Sequence, residues 1–94
     1  MGGEAGGLRY DARTVADAFR QIADLMELLG EDTFKAPAYR RAATVIQRYA
    51  VDVPRLAEEG RLTTLPGIGE TLARKVTEIL ATGTVELLER LRAR

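Results

Sequence analysis

Apolar residues in the first third of the chain recur at Val15, Phe19, Ile22, Met26 and Leu29, in steps of four, three, four and three. That rhythm is the period of an α-helix with one oily stripe. The stripe begins behind Asp11, whose carboxylate can cap the free amides of a first turn, and ends at Gly30, suited to a left-handed C-cap. Asp17, Arg20, Asp24 and Glu27 fall on the wet side. The same pattern returns with new punctuation. Residues 31–36 read as a loop, and Pro37 as a first-turn proline. Tyr39, Ala42, Ala43, Ile46 and Tyr49 then form a second stripe, whose paired alanines admit a neighbouring helix at close range. Residues 52–59 predict a short helix capped by Asp52 and stopped by Gly60, and residues 61–65 a further short helix or turn. Residues 70–81 place Leu72, Val76, Ile79 and Leu80 inside a helix closed by Gly83. Thr84 is positioned to cap a last helix carrying Val85, Leu87, Leu88 and Leu91. No segment alternates with period two. The expected fold class is all-α, a compact bundle of four to five short helices whose short joints make neighbours antiparallel.

Composition narrows the chemistry. The 94 residues include no cysteine and no histidine, so neither a disulfide nor a Cys/His zinc site staples the bundle. Packing alone must hold it, and catalysis by His or Cys is excluded. One small domain is expected, over residues 11–94, behind a Gly-rich flexible leader at residues 1–10. No apolar run approaches the ~18 residues of a membrane span. The start of the chain carries Glu4 rather than a basic stretch and an apolar core, so no signal peptide, a cytoplasmic location and a monomer are expected.

Fourteen Lys/Arg balance fourteen Asp/Glu, but the balance conceals segregation. Residues 1–33 hold three basic side chains against seven acids, a net −4. Residues 34–50 hold Lys35, Arg40, Arg41 and Arg48 and no acid, a net +4, and the remainder is neutral. A nucleic-acid binder needs a local positive face rather than a positive total. Charge alone fits equally an ordinary solvated helix surface.

The string Leu65-Pro66-Gly67-Ile68-Gly69 is sharper. Two glycines around one apolar residue permit a tight turn between helices, with Ile68 anchored in the core. They leave the backbone open to a phosphate. The amides of Gly69, Glu70 and Thr71 begin the next helix, unpaired and at the positive end of its dipole. Such a site reads backbone rather than bases. The plain alternative is a helix–helix turn with no ligand.

The string Leu-Pro-Gly-Ile-Gly-x-x-Leu-Ala-x-Lys resembles the helix-hairpin-helix of the family X DNA polymerases. Phe34-Lys35-Ala36-Pro37-Ala38-Tyr39-Arg40-Arg41-Ala42-Ala43 and Ala81-Thr82-Gly83-Thr84 are similar to further signatures of that family. The likeness covers residues 11–94 and is to the N-terminal 8-kDa domain of a DNA-polymerase-beta-like enzyme of bacterial type. The metal-binding palm that polymerises has no counterpart here.

The resemblance implies a module of base excision repair that binds gapped or single-stranded DNA, or a 5′-phosphate end, without sequence preference. It assigns DNA contact to Phe34, Lys35, Tyr39, Arg40, Gly67, Ile68, Gly69, Glu70, Thr71, Arg74 and Lys75. No cofactor is required, but a monovalent cation, Na or K, is implied on the main-chain carbonyls of Thr63, Leu65 and Ile68. Lys75 aligns with the family's deoxyribose-phosphate lyase nucleophile, a Schiff-base amine. The family's further pocket lysines are replaced by Thr63, Thr71 and Leu87, and Arg74 stands where an acid is expected. Glu78, one turn on, is placed to hold the Lys75 amine protonated. Lyase activity and a protein-interaction bundle without DNA binding therefore stand as alternatives. So do core burial for Phe34 and Tyr39, and a solvated stem for Lys75.

Overall fold

The computed structural model describes residues 7–94. Five helices follow one another in it: α1 Ala12–Leu29, α2 Ala36–Arg48, α3 Val53–Glu58, α4 Glu70–Thr82 and α5 Glu86–Arg92. No strand interrupts them among the described residues. The all-α expectation holds for the reason the stripes gave. Val15, Phe19, Ile22 and Met26 of α1 and Ala42, Ala43 and Ile46 of α2 are all buried. The pair α1–α2 is the principal packing unit, and α4 and α5 also pack against α1.

Caps hold where the sequence placed local geometry and fail where a partner lay elsewhere. Asp11 accepts the Thr14 amide at 3.1 Å, and Gly30 ends α1 at φ 68°. Asp52, by contrast, caps nothing: its backbone is already helical, and its carboxylate pairs with Arg55 at 3.1 Å. Thr84 does not cap α5 either. The Thr84 hydroxyl donates to Glu89 Oε2 at 2.6 Å, while the first amide of α5, Glu86, donates to Glu78 Oε2 at 3.2 Å. The expected loop at residues 31–36 contains a 3-10 turn, Thr33–Lys35, and α2 begins at Ala36.

The expected leader at residues 1–10 lies outside the described residues as far as residue 6. Its far end is held: the Arg9 and Tyr10 amides both donate to the Leu80 carbonyl, at 2.8 and 2.9 Å. The Tyr10 ring lies over Gly83, where an added Cβ would come within 2.8 Å of it. At the other terminus, Arg94 pairs with Glu31 at 2.6 Å and Arg92 donates to Gln21, which ties α5 back along α1.

Candidate nucleic-acid interface

Between α3 and α4 the chain makes a 3-10 turn, Leu62–Thr64, and then a β-turn. The turn is closed by the Ile68 amide donating to the Leu65 carbonyl at 3.1 Å. Pro66 and Gly67 are its central residues, and Gly67 has φ 79°, the signature of a type II turn. The Leu65 and Ile68 side chains are buried and pin the turn from below.

What faces outward is backbone. Among the described residues the amides of Gly67, Gly69, Glu70 and Thr71 meet no acceptor. Gly69 is extended (φ −88°, ψ −175°) and precedes α4, with its carbonyl accepting the Ala73 amide at 2.8 Å. Both glycines are exposed, and a Cβ at either would meet nothing within 4 Å. Of the amides from Gly67 to Thr71, that of Ile68 is spent internally among the described residues, as is that of Leu65 on the Leu62 carbonyl. Ile68 therefore serves as an anchor, and the open donors are those of its neighbours.

The three carbonyls expected to hold a monovalent cation keep free lone pairs among the described residues. The 3-10 donor to the Thr63 carbonyl would come from residue 66, a proline without an N–H. Among the described residues neither the Thr63 nor the Ile68 carbonyl accepts a hydrogen bond. The Leu65 carbonyl accepts one and retains a second lone pair. This oxygen-only donor set fits a hard cation.

The side chains around the turn divide. Thr63, Glu70 and Arg74 line a shallow groove of about 270 Å3 together with Ala57, Leu62 and Ala73. Lys75 follows Arg74 on α4 and is half-buried on the edge of the apolar stripe. Its expected partner Glu78 is turned to the α5 amide and forms no ion pair with it among the described residues.

Phe34 and Lys35 sit together on the α1–α2 joint. The Phe34 ring is 78% exposed, so the core reading of this residue is excluded. The Lys35 ammonium lies 5.7 Å from its centroid, a cation–π contact that steadies the ring. Tyr39 goes the other way. Its ring is buried edge-on against Phe19 at 5.4 Å, and burial pushes its phenol above the ordinary tyrosine range. Its hydroxyl has no partner among the described residues, and no buried side-chain polar atom is left unsatisfied there, so its tip reaches the surface as a neutral donor.

Arg40 is committed to the fold. It bridges from α2 to α1 with Asp24 at 2.8 Å and Glu27 at 2.6 Å. The Asp24 hydrogen bond first, and then that of Glu27, raise the guanidinium's pKa further. The sequence carried a signal for this in the two acids three residues apart on the wet side of α1.

A family model described as a helix-hairpin-helix domain matches residues 11–85. The chain belongs to the helix-hairpin-helix family. Among curated proteins it is similar to DNA polymerase lambda of Arabidopsis thaliana, 30% identical over 77 residues. The match covers 82% of this chain and 14% of that polymerase. No solved structure matches significantly. The helix-hairpin-helix assignment and the polymerase relative together support a DNA-binding role. The turn at residues 65–69 and the start of α4 lie within the matched residues.

Proposed function

We propose that this helix-hairpin-helix domain is the sequence-independent DNA-binding module of a family X repair polymerase, contacting the phosphate backbone of gapped or single-stranded DNA. The observation that carries the reading is the set of unpartnered amides at Gly67, Gly69, Glu70 and Thr71 on a turn pinned by Ile68. A phosphate oxygen there accepts from main chain and sits at the positive end of α4. A monovalent cation on the Thr63, Leu65 and Ile68 carbonyls would supply positive charge to the same phosphate. Nothing in such a contact distinguishes one base from another, and the exposed Phe34 ring offers a stacking face that every base can use. Titration of gapped duplex into labelled protein tests this. The Gly67 and Gly69 amide resonances should move first, and shifts confined to other surfaces would point to the protein-interaction reading.

A second reading rests on Glu78. The sequence set this carboxylate against the Lys75 amine, but it is engaged by the Glu86 amide. In the lyase reading the neutral amine of Lys75 adds to the C1′ aldehyde of a ring-opened abasic sugar, and the carbinolamine takes up a proton from solvent and loses water to give the iminium. Borohydride trapping on an abasic substrate reports this step, and loss of the adduct in Lys75→Ala is the expected result.

A further inference from the structure

The residues just before α1 cross the far end of α4, about 20 Å along that helix from the hairpin. They precede the stretch matched by the helix-hairpin-helix model, which begins at residue 11. Were α4 to continue, its Leu80 carbonyl would accept the amide of residue 84. The Thr84 amide instead donates to Thr82 Oγ1 at 3.3 Å. The Arg9 and Tyr10 amides reach Leu80 in its place, and so cap an orphan carbonyl of α4 from outside the helix. Leu8 packs against the core beside them. The Tyr10 ring covers Gly83 so closely that no β-carbon fits between. Glycine is thus required at 83 twice, for that seat and for its φ of 85°. The helix beyond this joint, α5, has little strength of its own. Its seven residues are too few to hold a helix alone in water. Its first amide, that of Glu86, is capped from α4 by Glu78. The Arg92–Glu89 ion pair is exposed and contributes little. What holds α5 is the burial of Val85, Leu88 and Leu91, and the joint that aims them inward.

We propose that residues 8–10 are a latch on the α4–α5 joint, and that α5 opens as a separate unit when the latch lifts. The two amides fix the last turn of α4, and the ring fixes Gly83, where the chain turns towards α5. The Glu78 cap and the Thr84–Glu89 hydrogen bond span the same joint, so they form and break with it. The α1–α2 seam and the hairpin use no contact from residues 8–10. Opening at this end therefore leaves both in place. Local unfolding of this kind is drawn from elements with few buried contacts, and α5 is such an element.

Amide hydrogen exchange of the full chain, read residue by residue in low denaturant, tests the latch. The Glu89 amide, bonded to the Val85 carbonyl at 3.2 Å, reports on α5, and the Ile46 amide reports on α2. In the wild type Glu89 should exchange faster than Ile46 and with a shallower dependence on denaturant, because its opening exposes less surface. Y10A removes a ring that is 44% exposed and leaves every buried residue in place. It should speed exchange at Glu89 by about tenfold, the effect of losing a half-buried ring. G83A displaces the same ring, so its effect on Glu89 should be smaller in the Y10A background than in the wild type. Deleting residues 1–10 also removes the two amide donors. It should speed exchange at Gly83, whose amide bonds the Ile79 carbonyl at 2.7 Å, beyond the rate in Y10A. One shared protection and denaturant slope for Glu89 and Ile46 would mean that α5 opens only with the whole domain, and overturns the proposal. So does unchanged Glu89 exchange in Y10A, a G83A effect of equal size in both backgrounds, or a deletion that leaves Gly83 as it is in Y10A.

Discussion

At the scale of single residues, Ile68 and Gly69 separate folding from binding. Ile68 is 3% exposed and points inward, so I68D buries a carboxylate with no partner. That should cost at least about 3 kcal/mol, read as a lowered denaturant midpoint. G69V meets open space and a backbone angle that any residue adopts. The loss of a favoured N-cap residue should cost it only about 1 kcal/mol, while the added methyls crowd the approach to the free amides. A G69V protein that melts within a few degrees of wild type yet binds gapped DNA normally would falsify the hairpin contact. Glu70 offers a gain instead. Its carboxylate stands beside the amides meant for a phosphate. Two like charges about 6 Å apart in water repel by roughly 0.7 kcal/mol, so E70Q should tighten binding about threefold. Asp11 reports through pH. The Thr14 amide holds its carboxyl below the ordinary range. Its folded-state pKa is therefore depressed, and the stabilisation is present at neutral pH and lost as pH falls through the folded value. Melting curves should show D11A below wild type at pH 7, with the gap closing in acid.

At the scale of elements, the α1–α2 pair shows why small residues recur at its seam. Ala16 and Ala23 of α1 and Ala43 of α2 are fully buried. A43L would insert three carbons where the helices are already close, at about 1–3 kcal/mol by chemical denaturation. This seam could be read from the sequence, since period, small pairs and terminal glycines act over four residues or fewer. What could not be read is which of several side chains takes a given partner. Asp52 and Thr84 have the right chemistry for caps, but side chains elsewhere decide their partners. Arg55 draws off Asp52, and Glu78, eight residues before Glu86, supplies the α5 cap. The hairpin was legible because its geometry is encoded in five consecutive residues. For Arg40 the only signal was indirect, the two acids three residues apart on α1, because the pairing is set between two helices. Phe34 could not be resolved either, since a ring on a short joint is equally a plug or a platform until the joint is seen.

The whole molecule has no net charge, yet its charged groups are distributed so that binding is measured by a slope rather than by a total. Its longest dimension is 43 Å, roughly 13 base pairs at 3.4 Å each. If the hairpin and Lys35 contribute two to three phosphate contacts, the log–log salt slope on gapped DNA should be about −2, at roughly 0.9 per contact. A terminal 5′-phosphate adds charge only where cations wait for it. Lys35 and Lys75 are present, but Thr63, Thr71 and Leu87 stand where the family resemblance implies further pocket lysines. Comparing gapped DNA with and without that phosphate, at two salt concentrations, should therefore change the slope by no more than about one unit. A change of two or more would mean that further cations converge on the end, and would favour a built 5′-phosphate pocket and the lyase reading of Lys75. No change at all, with the gap still preferred over intact duplex, would place recognition in the hairpin and the unpaired bases alone.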